Sequence, residues 1–468
     1  MKPNRVILIT VAFFLLVGAL SAHAAPLATI PSKVPWIARL FKADEDGIYN
    51  LSTAFVGGLY KPVLSYSKAG SQYIHFAFAA SESVPGSCGP DNTWYCAQWL
   101  QINLVPGTLS DIAAMSLAES HLIGWAYATD SSILGAQQEY LDDMTFVTKS
   151  TQKLIDLSKF GGLLVGAPSL QLVGGHYRLA VTIRSGGATP TYKLVYLYYI
   201  GNVDNDSCMT SGFAYQCDVI EEGTIPLGAP SMQMAPDGTV GIAYYKSGGG
   251  LDYGVTYAYP NVDSMQRPSN CGPGDPKTWR CISIYNGTET GEVGQVVKFA
   301  FGRSGDFRGI VFTYDDELID DTLRYAEFVI AGGNCGWDGG VIAAYQWECT
   351  DVDILGDLAP SVVRSFSFDI DRYGYPVIAY EKAESDLSPI NLYIAYPKHR
   401  YGIPEPGWMA QEIDGAPVDF VDTGAQAAIS INYHDLGLIG YLQREDYELP
   451  DLKIARQYYQ FFMPIIFR

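Results

Sequence analysis

The main hydrophobic pattern of the chain is an alternating strand that follows a glycine-rich turn and then recurs. In VGGHYRLAVTIRSGG, residues 173–187, a Gly-Gly turn leads into apolar residues at alternating positions and then into polar residues. This alternation predicts a β-strand with one buried face. Related segments start at Val56, Leu117, Ala235, Gly302, Asp369 and Ile431. The copies lie at intervals of roughly 55 to 70 residues, which predicts seven repeats of one structural unit.

Each repeat contains further strand patterns that complete a unit of four strands, labelled a to d. In the third repeat they cover residues 169–173, 177–184, 193–200 and 216–221. The second repeat is the least regular, and its c and d strands are predicted at residues 140–147 and 152–157. Four antiparallel strands per repeat predict an all-β fold, a seven-bladed β-propeller, as a single domain over residues 25–468.

The two ends of the repeat region suggest how the ring closes. The last repeat, around residues 427–458, lacks a pattern for its outer strand, whereas residues 36–43 resemble the closing strand of a blade. A ring in which the N-terminal strand completes the final blade has no free sheet edge. The sequence therefore predicts closure by residues 36–43.

The eight cysteines repeat with the strands. They form the pairs Cys88/Cys96, Cys208/Cys217, Cys271/Cys281 and Cys335/Cys349, each between a predicted c strand and d strand. Cysteines on either side of one hairpin can come within bonding distance, so we predict four local disulfides. A zinc site is the alternative, but the spacing is too wide for a zinc knuckle and no histidine pair accompanies it.

The N-terminal segment changes the expected location of the protein. Lys2 and Arg5 precede an apolar run over residues 6–20 and the small-residue site Ala22-His23-Ala24. This pattern predicts a secretory signal peptide at residues 1–24, and the run is shorter than the ~20 residues that span a bilayer. The protein is therefore expected to be extracellular or on the cell surface, where disulfides persist. Residues 458–468 form a hydrophobic C-terminal tail.

Charge limits the classes of partner. The formal net charge is −20, and such a chain repels nucleic acid backbones and anionic lipid. We expect an extracellular protein or glycan as partner, with no nucleic acid and no membrane span.

Catalytic signatures are absent from the sequence. There is no H-E-x-x-H, G-x-S-x-G or phosphate-loop motif, and the Ser-x-Asp-x-Gly-x-Thr-Trp turn of sialidase-type propellers is missing. His121, His176 and His434 lie near predicted turns between a and b strands, which favours a structural role. No catalytic residue is assigned on this basis.

Calcium is the one cofactor for which the sequence offers candidate ligands. Asp369 and Asp371 have the opening carboxylate spacing of a calcium loop. The segment lacks the distal glutamate of an EF-hand and coincides with an a-to-b hairpin turn. Both interpretations, a calcium site and an ordinary turn, remain open at this point.

Several strand segments resemble those of secreted bacterial β-propeller repeat proteins, a loosely defined group. They are DGTVGIAYY from Asp237, TLRYAEF from Thr322, RYGYPVIAYEK from Arg372 and NLYIAYP from Asn391. The resemblance implies the fold and no single activity, because propellers include lectins, enzymes and protein-binding platforms.

The predicted b-to-c loops of repeats five to seven are rich in carboxylates. We define the acidic sector as Asp315, Asp316, Glu317, Glu381 and Glu445. In a propeller these loops emerge on the face opposite the c-to-d loops that contain the cysteines, and such loops commonly build binding sites. The sequence thus favours a non-catalytic binding or surface-assembly module that uses the acidic sector. The alternatives are a carbohydrate-active hydrolase or lyase with carboxylates at the channel mouth, and a lectin.

Overall fold

Alternating side chains and tight turns produce thirty β-strands in the part of the chain that the structure, a computed structural model, describes. The described residues lie between 38 and 457 and exclude segments of several connections, the longest of which are 102–109, 338–344, 356–364 and 383–389. The predicted signal peptide and C-terminal tail lie outside the described residues. No helix in the described ranges is long and apolar enough to cross a membrane.

The strands follow one another around the ring in chain order. The closing strand is β1 (Ala38–Asp44). Blade 1 contains β2 (Ile48–Val56), β3 (Lys61–Lys68), β4 (Tyr73–Ala79) and β5 (Trp94–Gln101). Blade 2 contains β6 (Ser110–Ser116), β7 (Ser120–Ala128), β8 (Ser132–Leu141), β9 (Phe146–Thr148) and β10 (Gln152–Asp156). Blade 3 contains β11 (Gly162–Val173), β12 (His176–Ser185), β13 (Tyr192–Tyr199) and β14 (Tyr215–Gly223).

The remaining blades follow the same plan. Blade 4 contains β15 (Ser231–Met234), β16 (Val240–Lys246), β17 (Gly254–Pro260) and β18 (Trp279–Tyr285). Blade 5 contains β19 (Gly291–Phe301), β20 (Arg308–Asp316), β21 (Ile319–Phe328), β22 (Cys335–Trp337) and β23 (Tyr345–Ile354). Blade 6 contains β24 (Phe366–Ile370), β25 (Pro376–Lys382), β26 (Asn391–Pro397) and β27 (Trp408–Asp414). Blade 7 contains β28 (Val421–Ile431), β29 (Gly437–Glu445) and β30 (Asp451–Gln457).

The strand order confirms the seven-bladed propeller and its closure. Within each blade the successive a, b, c and d strands pair antiparallel. In blade 7 the order is β1-β30-β29-β28, so the N-terminal strand supplies the outer strand of the last blade. Arg39 pairs with Arg456 in this register. The ring is therefore closed by hydrogen bonds between the two ends of the described chain.

The prediction for blade 2 was wrong about the c strand. The c strand is β8, residues 132–141, and both β9 and β10 pair with it in place of one continuous d strand. Its sequence, SILGAQQEYL, contains few of the β-branched and aromatic residues that indicate strands. Packing fixes its position instead: a Cβ at Gly135 would lie 2.7 Å from the Tyr177 ring and 2.8 Å from Leu154.

A second departure from the repeat joins blades 4 and 5. The short strand β22 pairs with β23 of its own blade and also with β18 of blade 4, where Ser283 faces Trp337. The two blades thereby form one continuous nine-stranded sheet. No strand pattern in the sequence indicated this bridge.

Most of the core lies between neighbouring blades. An aromatic contact recurs at three of these seams, where a c-strand tyrosine meets the edge of a d-strand tryptophan in the next blade. The ring centroids lie 5.3–5.4 Å apart in the pairs Tyr196–Trp279, Tyr257–Trp347 and Tyr325–Trp408. Edge-to-face geometry of this kind adds about 0.5–1.5 kcal/mol to the burial of each pair.

A polar contact recurs at three of the seams as well, and we call it the Tyr–carboxylate–Lys clamp. A d-strand carboxylate accepts hydrogen bonds from a tyrosine and a lysine of the next blade. In blade 7, Tyr441 and Lys453 donate to Asp414 Oδ2 at 2.6 and 3.0 Å. The other clamps are Tyr380 and Lys382 on Asp353, and Tyr244 and Lys246 on Glu221.

All four predicted disulfides are present, each within one hairpin of its blade. The pairs are Cys88–Cys96, Cys208–Cys217, Cys271–Cys281 and Cys335–Cys349, with Cα separations of 5.0–6.0 Å. The residue before the first cysteine supports each hairpin with its side chain. Asn270, for example, accepts from the Cys281 N–H at 2.7 Å and donates to the Cys281 carbonyl at 2.8 Å. Ser87, Ser207 and Asn334 likewise accept from the N–H of the second cysteine.

Removing one clamp carboxylate tests the importance of the seams. We expect Asp414→Ala to lower the free energy of unfolding by about 2–4 kcal/mol, because it leaves the Tyr441 hydroxyl and the Lys453 ammonium partly buried without their acceptor. Urea denaturation measures the change. The control is Glu222→Ala, which removes a 52% exposed partner of Lys193 and should cost less than about 1 kcal/mol. Equal losses of unfolding free energy in the two variants would show that the clamp carboxylate stabilises the protein no more than a surface ion pair does.

Removing single disulfides tests their contribution. We expect Cys335→Ser/Cys349→Ser, which opens the widest loop, to cost about 3 kcal/mol, and Cys88→Ser/Cys96→Ser about 2.5 kcal/mol, from the chain entropy of loops spanning 14 and 8 residues. Peptide mapping without reductant should find only within-blade pairs. A peptide that links cysteines of two blades would contradict this pairing.

Candidate functional site

The a strands of all seven blades surround an open cavity of about 210 Å³ on the ring axis. Each a strand presents one residue at an equivalent position, and we call this set the channel layer. Its members, from blade 1 to blade 7, are Ser52, Asp111, Ser169, Ser231, Lys298, Ser367 and Ala428. Most of them are small and polar, as expected where seven strands converge.

The channel layer links several blades to the next one along the chain. At four positions a layer side chain accepts a hydrogen bond from a backbone N–H of the following a strand. The bonds are Leu170 N to Asp111 Oδ2 at 2.8 Å, Met232 N to Ser169 Oγ at 2.9 Å, Phe299 N to Ser231 Oγ at 2.9 Å and Ile429 N to Ser367 Oγ at 3.2 Å. The layer therefore satisfies backbone donors that no neighbouring strand can pair.

Asp111 is the carboxylate of this layer. Its Oδ1 accepts from Ser52 Oγ at 2.6 Å and from the Ile112 N–H at 2.9 Å, while Oδ2 accepts from Leu170. Burial raises the pKa of Asp111 above its usual range, although these hydrogen bonds and the positive charge of Lys298 act to lower it. Desolvation thus outweighs the favourable contacts.

Lys298 is the cation of the layer. It projects from β19 of blade 5 into the same cavity as Asp111 of blade 2. Burial lowers the pKa of Lys298, and the negative charge of Asp111 partly offsets that effect. No hydrogen bond or ion pair joins the Lys298 ammonium to any residue that the structure describes.

The two predicted calcium ligands occupy different surroundings. Asp369 lines the central cavity, and its Oδ2 accepts from the Ile431 N–H of blade 7 at 2.8 Å. Asp371 is fully buried, and its Oδ1 accepts from the N–H groups of Tyr373 and Tyr375 at 2.9 Å in the hairpin turn. Within the described ranges, no three His, Cys, Asp or Glu side chains are grouped to hold a metal. The calcium site stays a prediction.

The strand ends place the described members of the acidic sector at one end of the ring. Asp315 and Asp316 end β20, and Glu445 ends β29. Glu381 is 3% exposed, and its Oε1 accepts from the Ser365 N–H at 2.5 Å. Glu317 lies outside the described residues. The disulfide hairpins connect c and d strands, so they lie at the opposite end.

The face with the acidic sector also exposes apolar side chains. Leu163 at the start of β11 and Ile354 at the end of β23 are 45% and 49% exposed. Both lie at d-to-a connections, which share a face with the b-to-c connections. Ile354 belongs to blade 5, as do Asp315 and Asp316, and pairs with Thr322.

A second cavity, of about 320 Å³, lies between blades 3 and 4. It is lined by polar groups that already serve the scaffold, among them Glu221 and Lys246 of a clamp and Asn270 of a disulfide hairpin. These groups are engaged with each other or with the backbone, so the cavity offers few free donors or acceptors to a ligand.

Sequence reasoning missed Asp111 and Lys298. Neither residue belongs to a motif. Both lie in the first strand of a blade, labelled a, and not in a loop. The available signal was positional: aligning the a strands of the repeats places Lys298 where other repeats have serine, aspartate or alanine. A long cation among small residues marks an exception to the repeat.

Comparisons with known proteins find structural likenesses at low sequence identity only. No family model and no curated protein matches the chain. Among solved structures, polysaccharide lyase Uly1 is 9% identical, with a TM-score of 0.47 over 90% of this chain and 99% of that one. An alpha-L-arabinanase from Penicillium chrysogenum is 12% identical, with a TM-score of 0.42 over 90% and 98%. A fucose-specific lectin from Aleuria aurantia is 10% identical, with a TM-score of 0.37 over 80% and 99%. These likenesses concern architecture and assign no activity.

The role of the channel layer in joining blades is testable. We expect Asp111→Ala to lower the free energy of unfolding by about 2–3 kcal/mol, because several donors lose their acceptor and Lys298 loses its counter-charge. Ser231→Ala is the matched control and should cost about 1 kcal/mol, since it removes the acceptor of one N–H. Guanidinium denaturation of the two variants gives the comparison. A loss at Asp111 no larger than that at Ser231 would contradict the assigned role.

Proposed function

We propose that the protein is a non-catalytic extracellular binding module whose basic protein or glycan partner contacts the face with the acidic sector. The observation that supports this most directly is the strand register of blade 5. Glu292 at the start of β19 pairs with Asp315, and Asp316 pairs with Gly291 and Ile319. Asp320 and Asp321 follow at the start of β21.

Such a concentration of acids is unfavourable for the isolated blade. Like charges at directly paired positions destabilise a sheet. A positively charged partner would relieve this electrostatic repulsion on binding. The relief would make the free energy of binding more favourable. Natural proteins tolerate such local conflicts mainly at functional sites.

Other features of the same face support a docking surface. Ile354 supplies exposed apolar area beside the acids of blade 5. Glu381 is buried and accepts the Ser365 N–H, so it is not exposed for direct contact with a partner. The opposite face is stiffened by four disulfides, and loops on a rigid scaffold commonly build binding sites. The disulfides also fit the oxidising compartment to which the proposed signal peptide would direct the chain.

A carbohydrate-active hydrolase or lyase is the alternative, because Asp111 and Asp369 line one cavity. Glycoside hydrolysis requires a carboxylate pair that can exchange protons with substrate and water. Each of these two carboxylates instead accepts a backbone N–H from the next blade. This use as structural acceptors favours the binding module over the enzyme.

Charge reversal on the acidic face tests the proposal. We expect Asp315→Lys/Asp316→Lys to weaken binding of cationic probes about tenfold or more, since the substitution reverses the local field. The probes are a lysine-glycine peptide, for a protein partner, and a chitosan oligosaccharide, for a glycan partner. Binding of the wild type is measured by calorimetry and should weaken as salt rises from about 50 to 150 mM, because the Debye length shortens to about 8 Å.

The matched control changes the same charge on the other face. Asp275 and Glu405 are exposed residues of c-to-d connections, and Asp275→Lys/Glu405→Lys should leave binding within about twofold. If this control weakens binding as much as the acidic-face variant, the chosen face is wrong. If the wild type binds neither probe at low salt, the partner is not a cation.

A further inference from the structure

Lys298 is the only cation among the seven members of the channel layer. Side chains of the layer in blades 2, 3, 4 and 6 accept an N–H from the next a strand. A lysine ammonium has donors and no acceptor. The equivalent N–H after Lys298, that of Phe368 in blade 6, therefore cannot bond to the side chain of Lys298.

The neighbours of Lys298 in the ring add more donors. Ser231 and Ser367 occupy the layer positions of blades 4 and 6, on either side of it. Each hydroxyl oxygen accepts a backbone N–H, so its own proton is available to donate. Neither hydroxyl donates a hydrogen bond to another described residue. Blades 4 to 6 thus present an ammonium and two hydroxyls to the same cavity.

The acceptors of the cavity are used elsewhere. Asp111, across the ring on blade 2, holds three donors of its own. Asp369, two residues beyond Ser367, accepts from Ile431 and Ile370. Enclosed donors are normally matched by acceptors, and an enclosed charge without a partner is especially unfavourable. On the side of the cavity at Lys298, the donors outnumber the acceptors that the described residues offer.

We propose that the channel layer is a binding site for a small hydroxycarboxylate, whose carboxylate accepts from Lys298, Ser231 and Ser367. The cavity of about 210 Å³ corresponds to the liquid volume of roughly seven waters, which fits an acid of about seven non-hydrogen atoms. Gln171 and Gln233 line the same cavity and can bond the hydroxyl groups of the ligand. The site is distinct from the acidic face and does not depend on its function.

Electrostatics support this assignment. Lys298 is partly buried. Burial lowers its pKa, and the negative charge of Asp111 offsets this only in part. A ligand carboxylate would supply a negative charge at this partly buried site, and charge-assisted hydrogen bonds are stronger than neutral ones.

Calorimetry with wild-type protein tests the site. The probes are glycerate, inorganic sulfate as a carbon-free oxyanion, and glycerol as an uncharged molecule of similar size. We expect glycerate to bind, glycerol not to bind, and Lys298→Met to weaken glycerate at least about tenfold through loss of the charge-assisted bonds. Lys193→Met removes a lysine that pairs with Glu222 at the surface and should leave the affinity unchanged.

Crystals of the wild type soaked in selenate provide a measurement that does not depend on any variant. Anomalous density within hydrogen-bond distance of Lys298 Nζ would support an oxyanion site even if Lys298→Met fails to fold. Binding of sulfate and selenate without glycerate would support an inorganic oxyanion at the same donors and overturn the hydroxycarboxylate. An empty channel in the soaked crystals, or equal binding of glycerol and glycerate, would overturn the proposal.

Discussion

Contact between neighbouring blades is the constraint on which this structure depends. A four-stranded blade cannot bury both of its faces alone, so its apolar residues find partners in the next blade. The Tyr196–Trp279 edge contact and the clamp around Asp414 show the apolar and polar forms of that contact. Because the same kinds of contact recur around the ring, the scaffold tolerates local exceptions such as the divided d strand of blade 2.

The same constraint explains the chemistry of the channel. Where the a strands converge, their inward N–H groups have no strand to pair with, and side chains such as Ser169 supply the acceptors. Polar residues in the channel are therefore expected for structural reasons alone. Lys298 and Ala428 cannot perform this task, and Lys298 differs from every other member of the layer in placing a cation in the cavity.

Much of the fold could be predicted from the sequence, because the strand and cysteine patterns recur along the chain. The alternation in blade 3 and the cysteine pairs each predicted elements that the structure confirms, and the missing last strand predicted closure by β1. The c strand of blade 2 could not be predicted, since Gly135 and its neighbours carry little strand preference and are held by Tyr177 and Leu154. The channel site could not be predicted, because Asp111 and Lys298 are 187 positions apart in the chain and line one cavity only when the ring closes.

The closure of the ring also determines the face at which the chain enters and leaves the propeller. Ala38 pairs with Gln457, where β1 begins and β30 ends. Since β30 is a c strand, this pair lies at the end of blade 7 that corresponds to the disulfide hairpins of other blades. The backbone therefore enters and leaves the ring at one point on that side. Anything attached to either end, such as an anchor or a second domain, would orient the acidic face away from the attachment.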